Sequence, residues 1–241
     1  MPRRKPKSNQ SQQQSDFFMN VDIKDIQPKT YTQEKVFDEY EGGKNLILHG
    51  FPGTGKTFLS MYLALEEILY KKSNIHRKLI IIRSAVPGRD QGFLPGTLKE
   101  KSKIYEAPYS NIANELFGRG DAYELMKTKG LIEFETTMSL RGITFKNCIV
   151  FVDEIQNMTY QELDTIVTRY GEKCKFIFSG DFRQNDLKKN EESGIIKFMD
   201  IMDLIKNVYI IEFGIDDIVR SGFVKDYIIA KTDYESFAEK H

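Results

Sequence analysis

Little in this sequence of 241 residues points to disulfides, metal clusters or a membrane. It has two cysteines, Cys148 and Cys174, each inside an apolar strand-like run, and no CxxC pair. They read as buried thiols of a reducing cytosol rather than as a disulfide framework or a zinc site. The three histidines, His49, His76 and His241, have no metal-ligand spacing. No run of about 18 apolar residues occurs, so no transmembrane helix is expected. The opening stretch MPRRKPKSNQSQQQSD lacks the apolar middle of a signal peptide. A cytoplasmic protein without a membrane partner is the expectation.

Net charge is also missing, with 35 basic against 35 acidic residues, but the balance hides an asymmetry. Residues 1–15 carry Arg3, Arg4, Lys5 and Lys7 without an acid. Residues 71–103 hold nine Lys or Arg against Asp90 and Glu100, so the rest of the chain is acidic. Positive charge gathered in two places suits a polyanion partner, although a charge run is more often a solvated face.

Apolar residues make up 40% of the chain, enough for a sizeable core. Residues 1–16, rich in Gln, Ser, Lys and Pro, are expected to be a disordered tail, with residues 17–241 as one folded domain. NLILHG, KLIIIRS, LIEFETTMSL, CIVFVDE, KFIFSGD and VYIIEF read as strands. KTFLSMYLALEEILYKK and TYQELDTIVTRYG read as helices, the second starting near Thr159 or Gln161. Apolar strands alternating with helices predict an α/β fold with a mostly parallel sheet covered on both faces. The connection over residues 84–127 is too long for a loop, so it is a functional insertion or a helical hairpin.

GFPGTGKT, Gly50 to Thr57, follows the first strand and fits GxxxxGKT. Its glycines let backbone N–H groups wrap phosphates, Lys56 reaches the β- and γ-phosphates, and Thr57 holds Mg2+. The following helix points its N-terminus at the anion. Gly50, Pro52, Gly53, Thr54, Gly55, Lys56 and Thr57 are therefore the candidate nucleotide-binding residues. A second apolar strand ends in Asp153 and Glu154. Asp153 is placed to hold the Mg2+ through water, and Glu154 to act as general base on the attacking water. A third strand end, SGDFRQND, carries Asp181 and Gln184, and Gln184 is a candidate γ-phosphate contact.

The series GFPGTGKT, VDEIQN and SGDFRQND resembles superfamily 1 helicase motifs, and more closely the PhoH-like family of phosphate-starvation-inducible ATPases. RSAVPGRDQGFLPGTLKEK, SLRGITFKN, DDIVRSGFVKDYI and the lead-in PKTYTQ are also similar to that family, over about residues 26–229. Two departures stand out: Ile155 replaces an alanine, and Ile143 replaces a second arginine, which leaves Arg141 as the candidate there. The resemblance implies a RecA-like, ATP-hydrolysing domain, oligomeric and acting on single-stranded RNA or DNA in a helicase-like manner. It places Gln33 at the adenine edge and makes Arg220 a candidate arginine finger. Only 57 residues follow Gln184, too few for a second RecA-like domain. Arg220 is therefore expected from the end of the same domain or in trans from a neighbouring subunit. The second choice implies a homo-oligomeric ring such as a hexamer. The plainer reading of Arg220 is a helix-face ion pair with Asp216 or Asp217.

In Gln156, the DExQ-like motif also suggests a link from the hydrolysis site to the strand of Gln184 or to a nucleic-acid surface. Arg83 and Arg89 flank a glycine-rich loop, and Lys99, Lys101 and Lys103 follow it. These cations suit phosphate contacts without sequence readout. Phe93, Tyr105 and Tyr109 are available for stacking, though such residues more often lie in a core. Two other functions remain open: a thymidine-kinase-type nucleoside kinase, disfavoured by the missing cysteine-rich zinc lasso, and an ATP-controlled assembly adaptor. No NKxD motif supports a GTPase.

Overall fold

The computed structural model describes residues 22–70, 75–84, 98–140, 142–181 and 189–238. The 1–16 tail, Arg89, Phe93, Arg141 and Gln184 lie outside the described residues.

Six strands form one sheet: β1 (Asn45–Gly50), β2 (Lys78–Arg83), β3 (Ile132–Thr136), β4 (Cys148–Asp153), β5 (Cys174–Gly180) and β6 (Val208–Phe213). Their order is β3-β2-β4-β5-β1-β6, and every neighbouring pair is parallel. All residues of β4 and β5 are buried, whereas β6, at an edge, alternates buried with exposed positions along its second half. Central parallel strands are covered on both faces, and their continuous apolar runs follow from that.

Alternate residues feed two cores. Leu46, Leu48, Leu79, Ile81, Ile149 and Phe151 point to one. This side is covered by α1 (Tyr31–Glu41), α2 (Lys56–Tyr70), α3 (Leu98–Phe117) and α4 (Ala122–Thr128). Ile47, Ile80, Ile82, Val150, Val152 and Phe178 point to the other, under α5 (Tyr160–Val167) and α6 (Lys189–Asp203). The last helix, α7 (Gly222–Ala238), buries none of its residues 222–234. Residues 98–128 resolve as a helical hairpin, α3 and α4, in which Glu106 accepts from Tyr123 at 3.2 Å. No helix among the described residues is long and apolar enough to cross a membrane.

One of the three helices described next, α1, carries a weak sequence signal, and the other two were read from the sequence. In α1 the burial rests on Gln33, Val36 and Tyr40, spaced by three and four, with Thr30 as N-cap accepting from the Gln33 N–H at 3.2 Å. The start of α5 is the expected Thr159, closed by a capping box with Glu162. In α2 the burial takes in Leu59, Met61, Tyr62, Leu63, Ala64, Leu65 and Ile68, because the helix lies between the sheet and α3.

Candidate functional site

Parallel strands bring their C-terminal ends to one edge, and the motifs meet there. A cleft of about 500 Å3 is lined by Gln33, Pro52–Thr57, Asp153, Glu154, Gln156, Ser179–Asp181 and Arg220. The size suits a nucleotide. Gly50 ends β1, and the loop runs into the first turn of α2 at Lys56 and Thr57.

The Lys56 ammonium donates to the carbonyls of Gly50 at 2.8 Å and Phe51 at 2.6 Å. Burial lowers its pKa, while Asp181, Asp153 and Glu154 oppose that shift. Three acids thus act electrostatically on the one lysine of the loop. The Thr57 hydroxyl donates to Asp153, at 3.4 Å to Oδ1 and 3.3 Å to Oδ2.

Asp153 is 3% exposed. Burial and the adjacent Glu154 push its carboxyl up to about 6, against the Tyr109 hydrogen bond and the Arg83 charge. Arg83 ends β2 in register with Asp153 on β4. Burial would lower the Arg83 pKa, but Tyr109, Glu154 and Asp153 hold it above the ordinary value. Arg83 therefore acts electrostatically on Tyr109 and the carboxylate pair, whereas the sequence had suggested only phosphate contacts for it. Its guanidinium also stands 5.9 Å from the Tyr105 ring centroid.

Glu154 has a left-handed backbone, φ 56° and ψ 45°. For a residue with a Cβ this costs on the order of 1 kcal/mol and is typical of functional sites. Its carboxylate accepts from Gln156 Nε2 at 2.5 Å, and Gln156 Oε1 accepts from the Asp181 N–H at 3.0 Å. The trailing glutamine thus ties Glu154 to the end of β5, the strand that leads toward Gln184. A Cβ at Gly180 would stand 2.7 Å from Gln156 Oε1, so the link needs glycine there.

Gln33 is buried against the loop: its Nε2 donates to the Thr54 carbonyl at 2.9 Å, and its Oε1 accepts from the Lys29 N–H at 2.8 Å. Among the bonds of the described residues, one amide hydrogen and one lone pair of Gln33 remain. Arg220 is on no helix with Asp216 and Asp217, which lie in the 3-10 turn Ile215–Asp217, and α7 starts at Gly222. Instead Arg220 lies on the phosphate loop of its own chain. A Cβ at Gly53, which has φ +75°, would stand 2.8 Å from Arg220 Cγ, and the Val219 N–H donates to the Gly53 carbonyl at 3.1 Å.

Among the described residues no group of three or more His, Cys, Asp or Glu could hold a metal ion. A hydroxyl and one carboxylate do fit Mg2+, a hard cation that takes its other ligands from phosphate and water. The residue missed from sequence is Tyr109. Fully buried on α3, it donates its hydroxyl to Asp153 Oδ2 at 3.0 Å. Its availability for stacking gave no hint of that bond.

A family model described as "PhoH-like protein" matches residues 25–231. A PhoH-like protein of Mycobacterium leprae is 32% identical over 218 residues, 88% of this chain and 60% of that protein. One of Bacillus subtilis is 32% identical over 222 residues, 92% of this chain and 68% of that protein. Protein PhoH of Escherichia coli K12 is 32% identical over 184 residues, 76% of this chain and 51% of that protein. The chain thus spans about 60% of the length of the mycobacterial relatives. Among solved structures, the large terminase of a thermophilic bacteriophage, in complex with ADP, superposes with a TM-score of 0.50. It is 14% identical, covering 83% of this chain and 49% of that one, a likeness of fold.

Proposed function

The chain belongs to the PhoH-like protein family, and from that premise we propose that it binds ATP with Mg2+ and hydrolyses it. We propose further that the cycle is coupled to binding or unwinding of single-stranded RNA or DNA. The observation that carries the reading is the meeting of Thr57 and Asp153, within 3.3–3.4 Å, beside the phosphate loop and Glu154.

In this reading Lys56 and the loop N–H groups bind the phosphates and orient the γ-phosphoryl group. Thr57 and Asp153 are the residues that would hold the metal. Mg2+, when bound, supplies charge neutralisation of the phosphates. Glu154 accepts the proton of the attacking water, held in place by Gln156. Gln184 contacts the γ-phosphate from the segment after β5. Gln33, with its spare donor and acceptor, reads the adenine edge.

Arg220 supplies positive charge to the phosphates, and its place against Gly53 supports supply within one chain. The homo-oligomeric ring belongs to the proposal with supply in trans as its alternative form. Mixing Arg220→Ala with Glu154→Gln protein separates the two: partial recovery of hydrolysis favours trans, none favours cis. Cytoplasmic location is likewise proposed.

The functional test is the ATP hydrolysis rate with added RNA, single-stranded DNA and duplex. Stimulation by single strands is expected. A rate that no polynucleotide changes overturns the coupling, and phosphoryl transfer to a nucleoside instead would make the protein a kinase.

A further inference from the structure

Tyr109 is the one residue of the α3–α4 hairpin whose polar atom reaches the carboxylates of the site, among the bonds described for it. Its ring is fixed on two sides, 5.8 Å from the Phe134 centroid and 6.2 Å from that of Phe151 in an edge-on arrangement. These contacts leave the phenol little freedom to turn away. The Tyr109 hydroxyl belongs to a fully buried side chain. It reaches Asp153 Oδ2 at 3.0 Å, while Thr57 approaches the same carboxylate from the phosphate loop. The carboxylate is thus held between a hydroxyl on α2 and a phenol on α3. Arg83 adds positive charge from the neighbouring strand.

We infer that Tyr109 is a positioning residue: its hydroxyl holds the Asp153 carboxylate in the orientation that faces Thr57. The inference rests on the proposed role of Asp153 toward Mg2+. A ligand carboxylate that loses its hydrogen-bond partner swings between orientations, and the cation then pays the ordering cost. Partners of this kind typically change metal affinity roughly 10–100-fold. The α3–α4 hairpin thereby becomes part of the site although it carries no recognisable motif.

The test is ATP binding to the full chain by titration calorimetry, with EDTA and across a Mg2+ series. Tyr109→Phe removes the hydroxyl and keeps the packed ring. It is expected to raise the Mg2+ concentration at half-effect roughly 10–100-fold, leaving affinity in EDTA within about twofold. Tyr123→Phe removes a comparable hydroxyl from the same hairpin, one that bonds Glu106 at 3.2 Å. It should leave the Mg2+ series where it was. In an Asp153→Asn background, Tyr109→Phe should add no further shift, because the phenol acts only through that carboxylate.

Coincident Mg2+ curves for wild type and Tyr109→Phe, with a loss of Tm like that of Tyr123→Phe, would make Tyr109 a core residue only and overturn the inference. A further shift in the Asp153→Asn background would overturn it too, and this arm stands if the hydroxyl contributes to stability. Wild-type protein whose ATP binding ignores Mg2+ would overturn the proposed function itself, an outcome distinct from the other two.

Discussion

Both ends of the sheet bury charged side chains, and they treat them in opposite ways. At the N-terminal end, Glu67 on α2 accepts from Lys175 on β5 at 3.0 Å and pairs with His76 Nδ1 at 2.5 Å. Lys175 also donates to the Tyr40 carbonyl at 3.2 Å and lies 3.8 Å from the Tyr40 ring centroid. Burial would raise the Glu67 pKa, but His76, Tyr40 and Lys175 bring it down to about 2. At the C-terminal end Asp153, more deeply buried, is pushed up to about 6 beside Glu154. One carboxylate is fully compensated by its own chain and acts as an anchor. The other is held in its charged form against burial beside a cleft, and a buried acid in that condition is a candidate functional-site residue.

The sharpest way to break the contrast is to alter each end and read both activity and stability. Glu154→Gln should lower ATP hydrolysis by roughly 10²–10⁴-fold, the range for loss of a general base, while keeping ATP bound. Lys56→Ala should abolish hydrolysis through lost binding, and neither change should lower Tm by more than a few degrees. Turnover unchanged in either would remove that residue from the site.

Next in size is the opposite end. Lys175→Met leaves Glu67 charged and buried beside a neutral chain, and removing one partner of a buried pair costs about 3–5 kcal/mol. Denaturant unfolding should show that loss, while Mg2+-dependent ATP affinity of the folded protein stays unchanged. A loss below about 1 kcal/mol would show that the cluster is not an anchor.

Acid gives a smaller effect with a definite sign. The folded pKa of Glu67 is about 2 against an ordinary 4.5, so its contribution is complete above pH 4.5 and fades as pH falls toward 2. Allowing for solvent screening, the loss is on the order of 2 kcal/mol. Glu67→Gln should lack that part of the acid dependence, and an unaltered acid profile would contradict the assignment. An effect of similar size is expected from Gly180→Ala, whose Cβ presses on Gln156 Oε1. It should slow hydrolysis several-fold and cost about 1–3 kcal/mol of stability. Full activity would mean that the Glu154–Gln156–Asp181 link does not hold the base.

The meeting of the motifs at the C-terminal edge was legible in the sequence because its parts are local. GFPGTGKT and FVDE each join an apolar strand to a short polar motif, and the structure brings Thr57 and Asp153 together across 96 positions. Gln156 was likewise readable as a link toward the third strand. The anchor was hidden: Tyr40, Glu67 and Lys175 come from three elements and His76 from the segment before β2, and no spacing connects them. Tyr109 was hidden for the same reason, since a phenol in an ordinary helix carries no sign of the carboxylate that it reaches. In α1, burial depends on Gln33, Val36 and Tyr40 alone, too sparse a stripe to stand out. Arg220 was expected from sequence at the phosphates, but its seat on its own loop needed the packing of Val219 against Gly53.

The most direct measurement is ATP affinity with Mg2+ and with EDTA, for wild type and Asp153→Asn. The account predicts tighter binding with Mg2+ in wild type, and loss of most of that gain in the variant with its EDTA affinity kept. The same Mg2+ gain in both proteins would contradict the placing of the metal at Asp153 and Thr57.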